Sequence, residues 1–189
     1  ILDFANSKNF PRTASGKFIT IYPANDDQFT GLLESIRLVT GDLRGPHVLS
    51  DKPYKDSKVL FYRYGGFVPQ HRLNIFGEKI SVIQSPEGKL VLDVRVPFFR
   101  LPEFVKDPFE SQDLNYEGEV LLKNRYRVRN PIRFSNSGGV YTADDLFTNE
   151  IVILKEARPF VNESRNRSED AIGTLKKEAA ILERLQHTR

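Results

Sequence analysis

The pattern that most constrains the fold lies in residues 135–178, where a glycine turn, an apolar strand and a helical repeat follow one another. Gly138 and Gly139 form the turn, and the apolar run from Ile151 ends in Lys155. The pattern predicts strands at 126–134, 140–145 and 151–156 and a helix at about 168–186 that starts at Ser168. This order favours a small antiparallel sheet with one helix against it.

The same residues have the order of half a nucleotide site. In the nucleotide-binding lobe of a protein kinase, a glycine-rich turn covers the phosphates, a strand lysine contacts the α- and β-phosphates, and a helix glutamate holds the lysine. Lys155 and Glu178 have the lysine and glutamate positions, and Gly138 and Gly139 form a turn with two adjacent glycines instead of three spaced ones. We therefore expect ATP binding at these four residues, with Mg²⁺ held through a second kinase lobe beyond Arg189.

Composition argues against several other classes of protein. The chain has no cysteine and only three scattered histidines, so we expect no metal site. No apolar run approaches the ~20 residues that cross a bilayer, and we expect no membrane partner and a cytoplasmic location. The net charge of +3 includes a basic patch between Lys123 and Arg133. No recognised nucleic-acid motif accompanies the patch, so no nucleic-acid partner is expected.

The first 120 residues predict a second α+β unit. Strands are expected at 17–22, 58–64, 79–84 and 89–94, the last two joined as a hairpin by a Pro-Gly turn. A helix should follow Asn25, because Phe29, Leu32, Leu33 and Ile36 recur with helical spacing. The proline-containing stretch from Val96 to Glu119 is interpreted as a connecting segment along a surface.

Cationic and phenolic groups are the candidates for chemistry in this first part. They are Arg12, Lys17, Tyr22, Arg63 and Tyr64. Guanidinium and ammonium groups that converge on one pocket would suit a phosphate dianion, since guanidinium binds it bidentately and lysine adds a point charge. Spacing alone leaves open whether these groups converge or are solvated residues at strand edges.

Five strings of residues, taken in order, resemble one known family. They are Ser-Gly-Lys-Phe-Ile-Thr-Ile-Tyr-Pro (15–23), Phe-Tyr-Arg-Tyr-Gly-Gly-Phe (61–67), Asp-Pro-Phe (107–109), Phe-Ser-Asn-Ser-Gly-Gly-Val-Tyr (134–141) and Lys-Glu-Ala-Arg-Pro (155–159). The chain resembles the class III lanthipeptide synthetases of the LanKC type along essentially its whole length. The resemblance implies a phosphoserine/phosphothreonine lyase domain of the OspF type at 1–122 and the start of a kinase domain at 123–189.

The resemblance also implies an activity. In such synthetases the kinase phosphorylates Ser and Thr of a ribosomal precursor peptide, and the lyase, a carbon–oxygen lyase, eliminates phosphate to leave dehydroalanine or dehydrobutyrine before thioether rings form. The implied partner is the precursor peptide with its leader and phosphorylated core, and the lyase step needs no cofactor.

The implied site residues for the substrate phosphate are Arg12, Lys17 and Arg63, with Tyr22 and Tyr64 in support. The general-acid histidine and the base lysine of the family are expected upstream of Ile1, in Lys-x-His and Phe-Lys patterns that this chain lacks. The chain by itself is therefore expected to be incomplete as a lyase. His47 and His71 do not match these patterns and are interpreted as ordinary loop or surface residues.

Two other functions fit the same residues. A catalytically silent module could bind a phosphopeptide or a leader peptide, with the basic strand 123–133 holding an acidic segment. The other is a regulatory kinase lobe with an unrelated α+β extension. An upstream Lys-x-His pattern favours the lyase, and a downstream catalytic loop with Asp-Phe-Gly favours the kinase.

Overall fold

A computed structural model describes residues 2–66, 68, 70–94, 96–109, 119–163 and 169–186. It divides the chain into two compact units. The four-stranded unit contains residues 1–16, 45–47 and 114–189, and the aromatic unit contains residues 17–44 and 48–113. Within the described residues, none of the helices has the length and apolar character needed to span a membrane.

The described elements are short helices and antiparallel strands, which agrees with the predicted α+β class. In chain order they are α1 (Leu2–Ala5), α2 (Asp26–Thr40), β1 (Lys52–Pro53), β2 (Phe61–Tyr62), β3 (Gln70–Leu73), β4 (Lys79–Gln84), β5 (Leu90–Leu92), β6 (Leu121–Leu122), β7 (Tyr126–Ser135), β8 (Gly138–Asp145), β9 (Glu150–Lys155) and α3 (Ala171–Gln186).

The aromatic unit is built on helix α2. Asn25 Oδ1 accepts a hydrogen bond from the Gln28 amide at 2.9 Å, which satisfies one of the free N–H groups at the helix start. Leu33 is buried on the inner face of the helix, and Phe29 packs beside it. The predicted helix and its apolar face are confirmed.

The core of this unit is aromatic. Leu33, Tyr54 and Tyr62 are buried together, with Phe99 and Phe109 packed against them. The Tyr54 and Tyr62 rings meet the Phe109 ring edge-on, at centroid distances of 5.1 and 5.3 Å. Edge-to-face contacts of this kind add to the gain from burying the rings.

Three expectations for this unit need correction. The strand predicted at 17–22 is wrong: these residues form no strand, and Phe18 and Ile19 are 75% and 73% exposed, because no neighbouring strand pairs with them in the described structure. The strand predicted at 58–64 is reduced to β2. The segment from Val96 was expected to follow a surface, but its described part, to Phe109, supplies two rings to the core.

A small meander completes the unit. Strands β3, β4 and β5 pair in that order, all antiparallel. The Gly88 amide donates to Ser85 O at 2.9 Å within the β4–β5 turn, so the predicted hairpin is confirmed.

The four-stranded unit has the strand order β6-β7-β8-β9, again antiparallel. Its three long strands confirm the strands predicted from residue 126 onward. Helix α3 follows, and Asp170 Oδ1 accepts hydrogen bonds from the Ile172 and Gly173 amides at 3.0 and 3.1 Å. The predicted start at Ser168 lies outside the described residues.

Residues 1–16 belong to the four-stranded unit, whereas a division at residue 122 groups them with the first domain. The Asn136 amide donates to Lys8 O at 3.1 Å, and the Asn162 amide donates to Asn6 O at 2.7 Å. These backbone contacts bind the N-terminal segment to the β7–β8 turn and to the chain after β9. The division by function at residue 122 stays a prediction.

Candidate functional site

The predicted lysine and glutamate meet in the four-stranded unit. Lys155 is the last residue of β9, and Glu178 lies in the third turn of α3. The Lys155 Nζ and Glu178 Oε1 atoms form a direct ion pair. The two side chains are 44% and 45% exposed, so another charged group can reach the lysine from solvent. The structure therefore brings together the two charged residues expected at a nucleotide site.

The two predicted glycines are explained by close packing. A Cβ atom on Gly138 would lie 1.9 Å from the backbone oxygen of Glu156, which follows β9. A Cβ atom on Gly139 would lie 2.5 Å from the Tyr141 hydroxyl oxygen. Gly138 thus excludes any larger side chain because the obstacle is backbone, whereas a side chain at Gly139 would require the Tyr141 ring to move. A role in ATP binding stays a prediction for both.

Two arginines surround the turn. Arg12 Nη1 donates to Gly138 O at 2.8 Å and to Ser135 O at 3.2 Å. Arg158 Nη1 donates to Asn136 O at 2.9 Å and to Asn136 Oδ1 at 3.1 Å. Asn136 is 1% exposed and Arg158 is 5% exposed, whereas Ser135 and Ser137 are partly exposed. The turn is held by cations through its carbonyl groups.

Charge is only partly balanced around this turn. Burial lowers the pKa of the Arg158 guanidinium, and the nearby positive charge of Arg12 lowers it further. Glu156 is the carboxylate of the cluster, with Oε2 at 3.6 Å from Arg12 Nη2. Burial, together with the hydrogen bond that the Tyr141 hydroxyl donates to Glu156, raises the pKa of Tyr141 to about 12.

In the aromatic unit, the predicted phosphate-binding cations have carboxylate partners. Lys17 Nζ lies 2.8 Å from Asp51 Oδ1, and Arg63 Nη2 lies 3.7 Å from Asp93 Oδ1. The structure does not bring these two cations to one carboxylate. Arg12, the third candidate, is engaged in the four-stranded unit with the turn described above. Phosphate binding by these residues stays a prediction.

A cavity of about 350 Å³ adjoins the Arg63–Asp93 pair. Its lining includes Gln70, His71, Ser81 and Asp93. His71 Nδ1 and Ser81 Oγ are 3.5 Å apart, and the histidine belongs to β3 and is exposed, not a loop residue. The cavity is thus lined by the carboxylate that pairs with Arg63.

The two candidate tyrosines are placed differently from each other. Tyr64 meets the Phe104 ring edge-on, at a centroid distance of 6.0 Å. Tyr22 is 62% exposed, in the stretch where the predicted strand is absent. Support for a phosphate by either hydroxyl stays a prediction. His47, expected on a loop, lies outside helices and strands, and its carbonyl oxygen accepts from Arg158 Nη2 at 2.7 Å.

The buried ion pair of the aromatic unit was missed by sequence reasoning. Lys52 Nζ lies 2.6 Å from Asp107 Oδ2, and their side chains are only 7% and 9% exposed. The Tyr62 hydroxyl donates to Asp107 Oδ1 at 2.9 Å, as does the Phe109 amide. The Asp-Pro-Phe string at 107–109 was the available signal, since an aspartate followed by proline favours such a turn. This cluster joins β1, β2 and the segment at 107–109.

The basic strand is largely neutralised. Arg125, Arg127 and Arg129 pair with Asp145, Glu119 and Asp144 in that order. The Arg125 pair lowers the pKa of Asp145 to about 2. Three of the five cations of the patch therefore already have carboxylate partners, which leaves less positive charge for an acidic leader peptide.

Comparison with known proteins agrees with the resemblance seen in the sequence. Residues 1–118 match the family model described as RamC, N-terminal domain. The chain is 38% identical over 187 residues to the probable SapB synthase of Streptomyces coelicolor, covering 98% of this chain and 20% of that protein. The chain thus spans about a fifth of the length of the curated relative that it matches. Because the family model covers well over half of the residues, the chain belongs to the RamC N-terminal domain family.

Proposed function

We propose that this chain supplies the nucleotide-binding lobe and part of the lyase domain of a class III lanthipeptide synthetase. The enzyme phosphorylates Ser and Thr of a ribosomal precursor peptide with ATP and then eliminates the phosphate. The observation that carries the proposal is the Lys155–Glu178 ion pair at the end of a four-stranded antiparallel sheet. The similarity to a probable SapB synthase supports the biosynthetic setting.

The lysine end of the site fits a nucleotide. Lys155 is half exposed and is oriented by Glu178, so its ammonium group can contact the α- and β-phosphates without leaving the glutamate. Gly138 and Gly139 belong to the hairpin that covers the phosphates in such lobes. Within the described residues, no three His, Cys, Asp or Glu side chains cluster as a metal site, and the Mg²⁺ that accompanies ATP is held through the second lobe.

Lys17 and Arg63 bind the phosphate of the modified peptide in the lyase step. A base removes the Cα proton, and the electron pair of the Cα–H bond forms the carbon–carbon double bond. The Cβ–O bond breaks, and its electron pair leaves with the phosphate. The departing phosphate takes a proton from a general acid, and cations stabilise the charge that grows on its oxygens. The base and the general acid are the lysine and the histidine that the family resemblance implies.

The lyase assignment is tested with the native-length protein and a phosphothreonine precursor peptide, followed by mass spectrometry. The parent should convert the peptide with loss of one H₃PO₄, and Lys17→Ala and Arg63→Ala should slow this loss. Lys55→Ala and Arg37→Ala are matched controls, because they remove cations that pair with Glu34 in the same unit and whose side chains are 44% and 27% exposed. The controls should leave the elimination rate unchanged.

A folded parent that leaves every phosphopeptide intact would remove the lyase assignment. If that parent still binds the phosphopeptide, and Lys17→Ala and Arg63→Ala abolish the binding, the chain is a phosphopeptide-binding module. The nucleotide assignment is tested separately by binding of a fluorescent ATP analogue. Lys155→Ala should weaken this binding, whereas Lys176→Ala, on the same helix as Glu178, should not.

A further inference from the structure

We propose that Arg12 is a positioning residue for the glycine turn: it holds the backbone of residues 135–138 in the shape that receives nucleotide phosphates. The inference rests on the proposed nucleotide site at Lys155 and Glu178. It gives Arg12 a different role from the binding of the substrate phosphate. The evidence is the set of contacts that Arg12 and its neighbours make with the turn.

Arg12 joins the two ends of the turn. Ser135 and Gly138 are the paired residues that close the β7–β8 hairpin, and Arg12 Nη1 donates to the carbonyl oxygens of both. The guanidinium also lies over the Phe134 ring, with Cζ at 4.6 Å from the centroid. Because an Nη atom carries two N–H groups, both donors of Nη1 are used by the turn.

The rest of the turn is held from the other side. Arg158 Nη1 binds the carbonyl and side-chain oxygens of Asn136, and the Arg158 amide donates to Ser137 O at 2.8 Å. Asn136 Nδ2 donates to Ser7 O at 2.8 Å. The Ser137 hydroxyl oxygen is buried and has no hydrogen-bond partner within the described structure. Asn136 and Gly138 are therefore buried, whereas Ser135 and Ser137 stay partly exposed.

The hydrogen bonds of Arg12 and Arg158 to the turn, here called the clamp, hold the backbone next to the two glycines in one conformation. Gly138 and Gly139 are the first two residues of β8, directly after the turn at Asn136 and Ser137, and a glycine backbone has many accessible conformations whose ordering costs entropy. A nucleotide that had to order the turn would bind more weakly, whereas a turn ordered beforehand does not impose this cost on binding. The cations also occupy carbonyl oxygens, the groups that would repel phosphate. Arg12 therefore favours an anion at the turn without touching it.

The test compares Arg12→Gln with the parent in the native-length protein. Arg129→Gln is the matched control, because Arg129 is also a paired arginine of the same unit, with Asp144 as its partner. Three quantities are measured: hydrogen exchange of the amides in 134–140, the Kd for a fluorescent ATP analogue with Mg²⁺, and the rate of elimination from a pre-phosphorylated peptide.

We expect Arg12→Gln to speed exchange in the turn and to weaken analogue binding about tenfold, which corresponds to about 1.4 kcal/mol. In turnover, the KM for ATP should rise while the KM for the peptide stays the same, and elimination from the pre-phosphorylated peptide should continue at the parent rate. Arg12→Lys should fall between parent and Arg12→Gln, because lysine keeps the charge and loses the planar fork. If Arg12→Gln fails to fold, the Arg12→Lys variant takes its place in the same three measurements.

The opposite pattern overturns the inference. If Arg12→Gln slows elimination and leaves the analogue Kd unchanged, Arg12 is a substrate-phosphate residue. If the parent binds the analogue and both Arg12 variants bind it equally well, the clamp has no effect on the nucleotide, while the proposed function stands. If the parent binds no analogue, the proposed nucleotide site and the positioning role both fail.

Discussion

Removing one partner of the buried pair of Lys52 and Asp107 should strongly destabilise the aromatic unit. Asp107→Asn keeps the size of the side chain but removes its charge, and with it the carboxylate that lies 2.6 Å from the Lys52 ammonium, whose side chain is only 7% exposed. It also replaces one of the oxygens that accept from the Tyr62 hydroxyl and the Phe109 amide by an NH₂ group. Breaking a buried ion pair by removing one partner costs about 3–5 kcal/mol. This is a large share of the ~5–15 kcal/mol by which a domain is stable.

Urea unfolding of the whole chain, followed by far-UV circular dichroism, measures this loss. The control is Asp56→Asn, which removes a carboxylate that is 82% exposed and pairs with Arg37. The control should leave the midpoint where it is, since exposed pairs contribute little. The combined change of Lys52→Met with Asp107→Leu should recover much of the loss, because both charges of this pair are then removed together. Equal midpoints for Asp107→Asn and Asp56→Asn would refute the reasoning.

The same cluster sets a pH dependence. Burial raises the pKa of Asp107, but the bonds from Lys52, Phe109 and Tyr62 outweigh it, and the net pKa is lowered. A carboxyl whose folded pKa lies below its unfolded value of about 3.9 contributes stability above that pH and loses it as the pH falls through the folded pKa. Acid unfolding of the parent below about pH 4 should therefore be steeper than that of Asp107→Asn.

Three further predictions follow from local geometry. Gly31→Ala should raise the free energy of unfolding by about 0.5–1 kcal/mol, since nothing lies within 4 Å of the new Cβ in α2. Gly138→Ala should lower the free energy of unfolding by more than that, because its Cβ would lie 1.9 Å from a backbone oxygen. The urea midpoints of the two variants are compared with that of the parent. Asp145 should titrate near pH 2 in carboxyl-carbon NMR, so its stabilising contribution is complete above about pH 4 and is lost toward pH 2. An unchanged Asp145 titration curve in Arg125→Gln would contradict the pairing of these two residues. Asn25→Ala should cost about 1 kcal/mol and increase amide exchange in the first turn of α2; equal exchange in both proteins would argue against the cap.

Local patterns predicted the elements whose signals are complete within a short stretch. Helix α2 carries its own cap at Asn25 and its own apolar repeat, and the β4–β5 hairpin carries its turn residues at Gly88. The stretch at 17–22 has the same strand-forming residue types, yet it stays outside any sheet. A strand exists only where another strand accepts its hydrogen bonds, and the residues at 17–22 do not identify such a partner.

For the candidate site, too, only the contacts between neighbouring elements could be predicted from the sequence. The strand–helix pattern placed Lys155 and Glu178 on neighbouring elements, and the two side chains do pair. The contact of Arg12 with Gly138 spans 126 residues and follows from no local spacing. The glycine pair indicated a turn, but its burial depends on Arg158 and on the N-terminal segment, whose placement is a long-range property.

The four-stranded unit is built from segments that lie far apart in the sequence, and this affects the order in which the chain folds. The hydrogen bonds from Arg12 to Ser135 and from Asn6 to Glu163 close loops of 123 and 157 residues. Contacts this distant in sequence form late, because their loop-closure entropy is lost before any contact stabilises the chain. On the ribosome, the first sixteen residues emerge long before their partners, while the aromatic unit between them can already condense. We therefore expect the contacts of the N-terminal segment with the glycine turn to form late in the folding of this unit.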